Sequence, residues 1–127
     1  MGEDIGKKMI VVVEDHEATA ELIAEYLNGE PEYEALTAGD AVRALELVRA
    51  RTPQLILLDI RLPIIDGFEL YDILQSDPAT CEIPVIFITT STSRGIKDEL
   101  ERRHIEDYIS KPFELEYLLS RVREVLA

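Results

Sequence analysis

Cysteine is nearly missing from this chain of 127 residues, where Cys81 is the single example. No disulfide can form within the chain, and no set of thiolates is on hand to hold zinc or iron. Basic residues are also scarce, with 13 Lys and Arg against 26 Asp and Glu and a formal net charge of -13. That balance argues against a nucleic-acid backbone as partner, because affinity for phosphates rests on Lys and Arg. It fits a protein that recruits a divalent cation or docks on a basic surface, although a solvated acidic surface accounts for most of the charge. Long apolar runs are lacking too. Met9-Ile10-Val11-Val12-Val13 is far too short for a signal peptide or a membrane span, so a cytoplasmic location without membrane contact is expected. No internal repeat and no low-complexity segment interrupts the chain.

The apolar fraction of 46% is ordinary for a folded protein, and the length suits one domain with a real core. Residues 1–7 read as a flexible lead-in and 8–127 as the folded unit. Its centre is Leu55-Ile56-Leu57-Leu58-Asp59, four apolar residues without polar alternation, the pattern of a strand buried on both faces. Pro63 stops the ladder shortly afterwards. Met9–Val13 and Val85–Ile88 are runs of the same kind, while Tyr33–Thr37 and Tyr108–Ser110 are weaker strand candidates. Between them the apolar period turns helical: Thr19 to Leu27, stopped by Asn28-Gly29; Ala41 to Arg51, capped by Asp40; Phe68 to Leu74; about Ser93 to His104; and Leu115 to Leu126. In the fourth helix Asp98 with Arg102, and Glu99 with Arg103, are spaced to pair. Five strands alternating with five helices predict an α/β fold. The natural choice at this size is a doubly wound parallel sheet of flavodoxin-like order 2-1-3-4-5, with helices on both faces.

In such a sheet ligands gather outside the carboxyl ends of the strands. Four strands there end in Glu14-Asp15, Asp59, Thr89 and Lys111. The first and third strands are neighbours in the expected order, so their acids lie close, and Mg2+ is the usual way to stabilise such a cluster. An ammonium and a hydroxyl around a carboxylate are the equipment for moving a phosphoryl group, with Asp59 as nucleophile. Singly, each residue has a structural explanation: helix-capping acids, a turn aspartate, a strand-end hydroxyl, a solvated lysine. Four at successive places on one edge are not explained that way.

The stretches Val-Val-Val-Glu-Asp (11–15), Leu-Leu-Asp-Ile-Arg-Leu-Pro (57–63) with Asp66-Gly67, Ile-Pro-Val-Ile-Phe-Ile-Thr (83–89) and Asp-Tyr-Ile-Ser-Lys-Pro-Phe (107–113) carry a resemblance. From Lys8 to Ala127 the chain is similar to receiver domains of bacterial two-component response regulators, of the chemotaxis-regulator kind. The resemblance implies that Asp59 accepts a phosphoryl group from a sensor histidine kinase or a small phosphodonor. The chain is then a switch in a phosphorelay, an enzyme only toward its own phosphorylation and slow dephosphorylation. Glu14 and Asp15 hold Mg2+, joined by Asp59 and the backbone carbonyl of Arg61, while Lys111 and Thr89 bind phosphoryl oxygens. Thr89 couples to Tyr108 as a two-state element that alters the last helix-strand-helix for a downstream protein or effector domain. Arg61 and Ser91 match positions that set the lifetime of the phosphate. A homodimer through the same surface brings in Glu106, Asp107 and Arg121.

Departures from the family pattern are specific. Ile64-Ile65 stand where smaller or more flexible residues are usual, as a partner contact or as local packing. His104 replaces the usual glycine before the last strand and must tolerate a left-handed turn. Other readings compete less well. A haloacid-dehalogenase-type hydrolase wants Asp-x-Asp, and here the second position is Arg61. A flavin-binding domain lacks its phosphate loop. A degenerate receiver acting as an unphosphorylated interaction module has the intact set Asp15, Asp59, Thr89 and Lys111 against it.

Overall fold

The computed structural model describes residues 6–90 and 93–127. The elements run β1 (Lys8–Val13), α1 (Glu17–Asn28), β2 (Tyr33–Ala38), α2 (Ala41–Arg51), β3 (Leu55–Asp59), α3 (Gly67–Gln75), β4 (Val85–Thr89), α4 (Arg94–Arg102), β5 (Tyr108–Ser110) and α5 (Leu115–Leu126). All strand pairings are parallel, and the sheet order is β2-β1-β3-β4-β5, as the alternation of elements predicts.

The unbroken apolar runs are explained by two cores separated by strand parity. On one face Ile10, Val12, Leu55, Leu57, Ile86, Ile88 and Ile109 meet Ile23 and Leu27 of α1 and Leu118, Val122 and Leu126 of α5. On the other, Val11, Val13, Ile56, Leu58 and Phe87 meet Ala41, Ala44 and Val48 of α2, Phe68, Leu70 and Leu74 of α3, and Leu100 of α4. Each such Val, Leu or Ile contributes about 1.5–3 kcal/mol by leaving water. A one-residue slip of any central strand would exchange the two sets. β2 lies at the edge, where the Asn28 amide accepts from the Ala35 N–H at 2.8 Å and donates to its carbonyl at 3.2 Å. That side chain occupies the place of a further strand and blunts the edge.

Helix starts follow local chemistry. Asp40 caps α2 through the Arg43 N–H, and Asp66 with Glu69 forms a reciprocal capping box on α3. His16 caps α1, its ring nitrogen accepting from the Thr19 N–H. His104 adopts φ 58, the left-handed turn that replacing glycine demanded. The spacing that set Asp98 opposite Arg102 is not used: Arg102 and Arg103 both turn to Glu99.

Gly67 is the position where a small residue is required. A Cβ there would stand 2.5 Å from the Asp59 carbonyl oxygen and 2.7 Å from the Ile60 Cα, both backbone atoms. The glycine N–H also donates to the Ile60 carbonyl at 2.8 Å. The first turn of α3 is thereby seated directly on the end of β3. Gly67→Ala is expected to lower stability by about 1–3 kcal/mol, the usual range for overpacking, read as a shift of the urea midpoint. An unchanged midpoint would mean that the loop yields freely.

Candidate functional site

Register places the acids. Val13 pairs with Leu58, so the residues that follow, Glu14 and Asp59, leave neighbouring strands side by side. The Glu14 N–H continues the ladder to Ala38 at 3.0 Å, which fixes its backbone. Both carboxylates are buried, at 3% and 5% exposure. Lys111 arrives from the adjacent edge, its N–H bound to the Thr89 carbonyl at 2.7 Å and its peptide to Pro112 cis. Its ammonium donates to Glu14 Oε1 at 2.7 Å and to Asp59 Oδ2 at 2.9 Å, bridging the two acids. The remaining oxygens are also engaged: Glu14 Oε2 accepts from the His16 N–H at 3.1 Å, and Asp59 Oδ1 from the Arg61 N–H at 2.8 Å.

Burial pushes the Glu14 carboxyl above its ordinary 4.5, and Asp59 adds to the shift while the Lys111 and His16 donors oppose it. Burial pulls Lys111 down, but Glu14 and Asp59 outweigh it and hold the ammonium above 10.5. Two like charges share one counterion. Asp15, exposed beside them, completes a group in which oxygens of Glu14, Asp15 and Asp59 all lie within 4.8 Å of one another. Three carboxylates less one ammonium leave two negative charges. An all-oxygen donor set with that surplus fits a hard divalent cation such as Mg2+.

The other expected residues fall as follows. Thr89 is buried at the end of β4, and Tyr108, opposite Phe87 in register, is 39% exposed and lies outside the core. Arg61 is exposed and Ser91 lies outside the described residues. Glu106 is exposed, whereas Asp107 and Arg121 pair within the chain at 2.8 Å, with Glu124 and the Tyr117 hydroxyl also on Arg121. Of the two isoleucines after Pro63, Ile65 packs on the core beneath, while Ile64 is fully exposed at φ 68. Sequence reasoning missed His16 as the cap beside Glu14, because histidine is an unusual capping residue. It also missed the close approach of Gly67 to the end of β3, which depends on distance across the fold.

The family of response regulator receiver domains matches residues 10–123, and the chain belongs to it. The chain is 31% identical over 119 residues to the polar-differentiation response regulator DivK of Brucella anthropi, covering 94% of this chain and 96% of DivK. With the response regulator PleD of Caulobacter vibrioides it shares 37% over 116 residues, 91% of this chain and 25% of PleD. Hybrid signal transduction histidine kinase D of Dictyostelium discoideum is 35% identical over 116 residues, of which the chain spans 7%. Among solved structures, the chemotaxis protein CheY4 of Vibrio cholerae matches with a TM-score of 0.85 at 25% identity, covering 94% of this chain and 98% of that one. No helix among the described residues is long and apolar enough to cross a membrane.

A carboxyl whose folded pKa stands above its unfolded value binds more protons when folded, so stability falls as pH rises from 4.5 through the folded value. Glu14→Gln keeps an acceptor for Lys111 and removes the buried charge. Without metal, its thermal midpoint at pH 7 is expected above that of the parent chain, the gain shrinking as the pH is brought down to 4.5. Added Mg2+ is expected to stabilise the variant less than the parent. A lower midpoint at pH 7 would contradict the charge arrangement.

Proposed function

We propose that the chain is a phosphoacceptor switch of a two-component phosphorelay, with Asp59 as the residue modified. The supporting observation is the Lys111 bridge between Glu14 and Asp59, with Asp15 completing an oxygen cluster that carries two surplus negative charges. An oxygen of Asp59 attacks the phosphorus of a sensor histidine kinase's phosphohistidine, or of a small phosphodonor. With phosphohistidine the bond from phosphorus to nitrogen breaks and the imidazole leaves; with an acyl phosphate the bond from phosphorus to the acyl oxygen breaks and the carboxylate leaves. Glu14, Asp15, Asp59 and the Arg61 backbone carbonyl would hold Mg2+, which when bound would supply charge neutralisation at the site. Lys111 keeps Glu14 and passes from the free Asp59 carboxylate to a phosphoryl oxygen, and the Thr89 hydroxyl binds another.

Drawing Thr89 toward the phosphoryl group vacates space into which the Tyr108 ring turns, and the surface of α4, β5 and α5 changes for a downstream protein or effector domain. A homodimer through that surface needs Arg121 to exchange its own Asp107 for a partner's acid, with Glu106 beside it. Arg61 and Ser91 set the lifetime of the phosphate. The chain turns over no external substrate and acts in the cytoplasm.

Intact-mass analysis after incubation with acetyl phosphate and Mg2+ is expected to show a gain of one phosphoryl group, absent in Asp59→Asn and in excess EDTA. No gain with several donors and kinases would hand the reading to an unphosphorylated interaction module. With the labelled protein in hand, Arg61→Asn combined with Ser91→Ala is expected to change the phosphate half-life. An unchanged half-life removes those two residues from that role.

A further inference from the structure

α4 is firmly held at one end only. Along its length Leu100 alone is fully buried, and Arg94, Gly95, Lys97 and Asp98 face solvent. A Cβ on Gly95 would meet nothing within 4 Å, so packing does not call for glycine there. The residue weakens the first turn through its backbone freedom. The opposite end is clasped. Arg103, 18% exposed, donates from Nε and Nη2 to the two carboxylate oxygens of Asp72 on α3, each at 2.9 Å. Nη1 donates to the Glu99 carbonyl at 3.3 Å and to the Glu99 carboxylate. The guanidinium carbon sits 4.7 Å from the centroid of the Phe68 ring, which packs on Phe87 of β4 at 5.6 Å. All three nitrogens are partnered in a planar arrangement that lysine cannot reproduce. Phe68 follows Gly67, the residue seated on the Asp59 carbonyl. The clasp therefore ties α4 to an element fixed directly on the acceptor strand, by a route separate from Thr89 and Tyr108.

Taking Asp59 as the phosphoacceptor, as proposed above, we propose that Arg103 is a brake on the switch. Its contacts with Asp72 and Phe68 hold α4 against α3 in the unmodified protein, and they open when phosphorylation shifts α4. Those contacts then belong to the resting arrangement alone. Removing them leaves the acceptor chemistry untouched and favours the modified arrangement. By reciprocal linkage it also tightens binding of anything that mimics the phosphoryl group. A side chain that merely supported the fold would weaken such binding or leave it alone.

The test is titration of the full chain with beryllofluoride, an acyl-phosphate analogue, in the presence of Mg2+, for the parent, Arg103→Gln and Asp72→Asn. Both variants are expected to bind about five-fold tighter or more, the lower end of ordinary coupling. Amide exchange over residues 94–103 without ligand is expected to rise toward the level that the parent reaches only with beryllofluoride. Circular dichroism checks that the fold is retained. Asp72→Asn decides the matter, because it breaks the ion pair and leaves the arginine on Phe68. Equal or weaker binding by Asp72→Asn overturns the brake and leaves Asp59 as acceptor. No beryllofluoride binding by the parent overturns the acceptor assignment and the brake with it.

Discussion

Everything at the carboxyl edge depends on one ammonium shared by two buried carboxylates. Glu14 and Asp59 are brought together by β-sheet register, not by mutual attraction, and their charges repel. Lys111 reconciles them, and breaking a buried pair of this kind costs about 3–5 kcal/mol. The contact is therefore structural in the resting protein, and it is also incomplete. One positive charge cannot satisfy three clustered acids, so two negative charges remain where burial, with a smaller push from Asp59, already raises the Glu14 carboxyl. An all-oxygen cluster with that surplus of charge fits a hard divalent cation.

The two-sided core makes that arrangement rigid. Because β1, β3 and β4 are buried on both faces, their ends are located by packing in two directions, and side chains just beyond them inherit that precision. Rigidity falls off toward the far edge. β5 has three residues with only Ile109 buried, and α4 buries only Leu100. Elements with few buried apolar contacts open at low free energy. The same gradient that fixes Glu14 and Asp59 leaves α4 and β5 as the parts able to respond, so the specific polar contacts on α4 count for more than they would on α1.

Most of this was legible in the chain itself. The apolar runs predict buried parallel strands, the residues that end them predict the acidic edge, and Asp40 marks a helix start that the structure places where expected. The sheet order followed from topology rules. What escaped the sequence depends on distance across the fold. Glu99 and Arg103 at helical spacing read as a surface pair, and nothing local reveals that Arg103 also reaches Asp72, 31 positions away. Likewise the charge on Arg121 looked available to a second chain, and the nearness of Asp107 that occupies it is a property of how β5 meets α5. Tyr108 read as half of a two-state element, and a ring with two positions cannot be placed by pattern.

The loop from β3 to α3 shows how such a site tolerates an unfavourable residue. Ile64 stands at φ 68 with its side chain fully exposed, and the Ile65 N–H reaches the Pro63 carbonyl at 2.7 Å, the three-residue closure of a γ-turn. A β-branched residue in that region is a true outlier and costs about 1–3 kcal/mol. No burial offsets it. The turn persists because its flanks are over-determined. The Arg61 N–H is bound to Asp59, the Gly67 N–H to the Ile60 carbonyl, Ile65 is packed below, and the capping box of Asp66 and Glu69 fixes the exit. Those contacts are the ones that aim Asp59. The strain at Ile64 is borne by flanking contacts that also fix the Asp59 carboxylate, so the loop's geometry is set by its flanks and not by the preference of the residue at its tip.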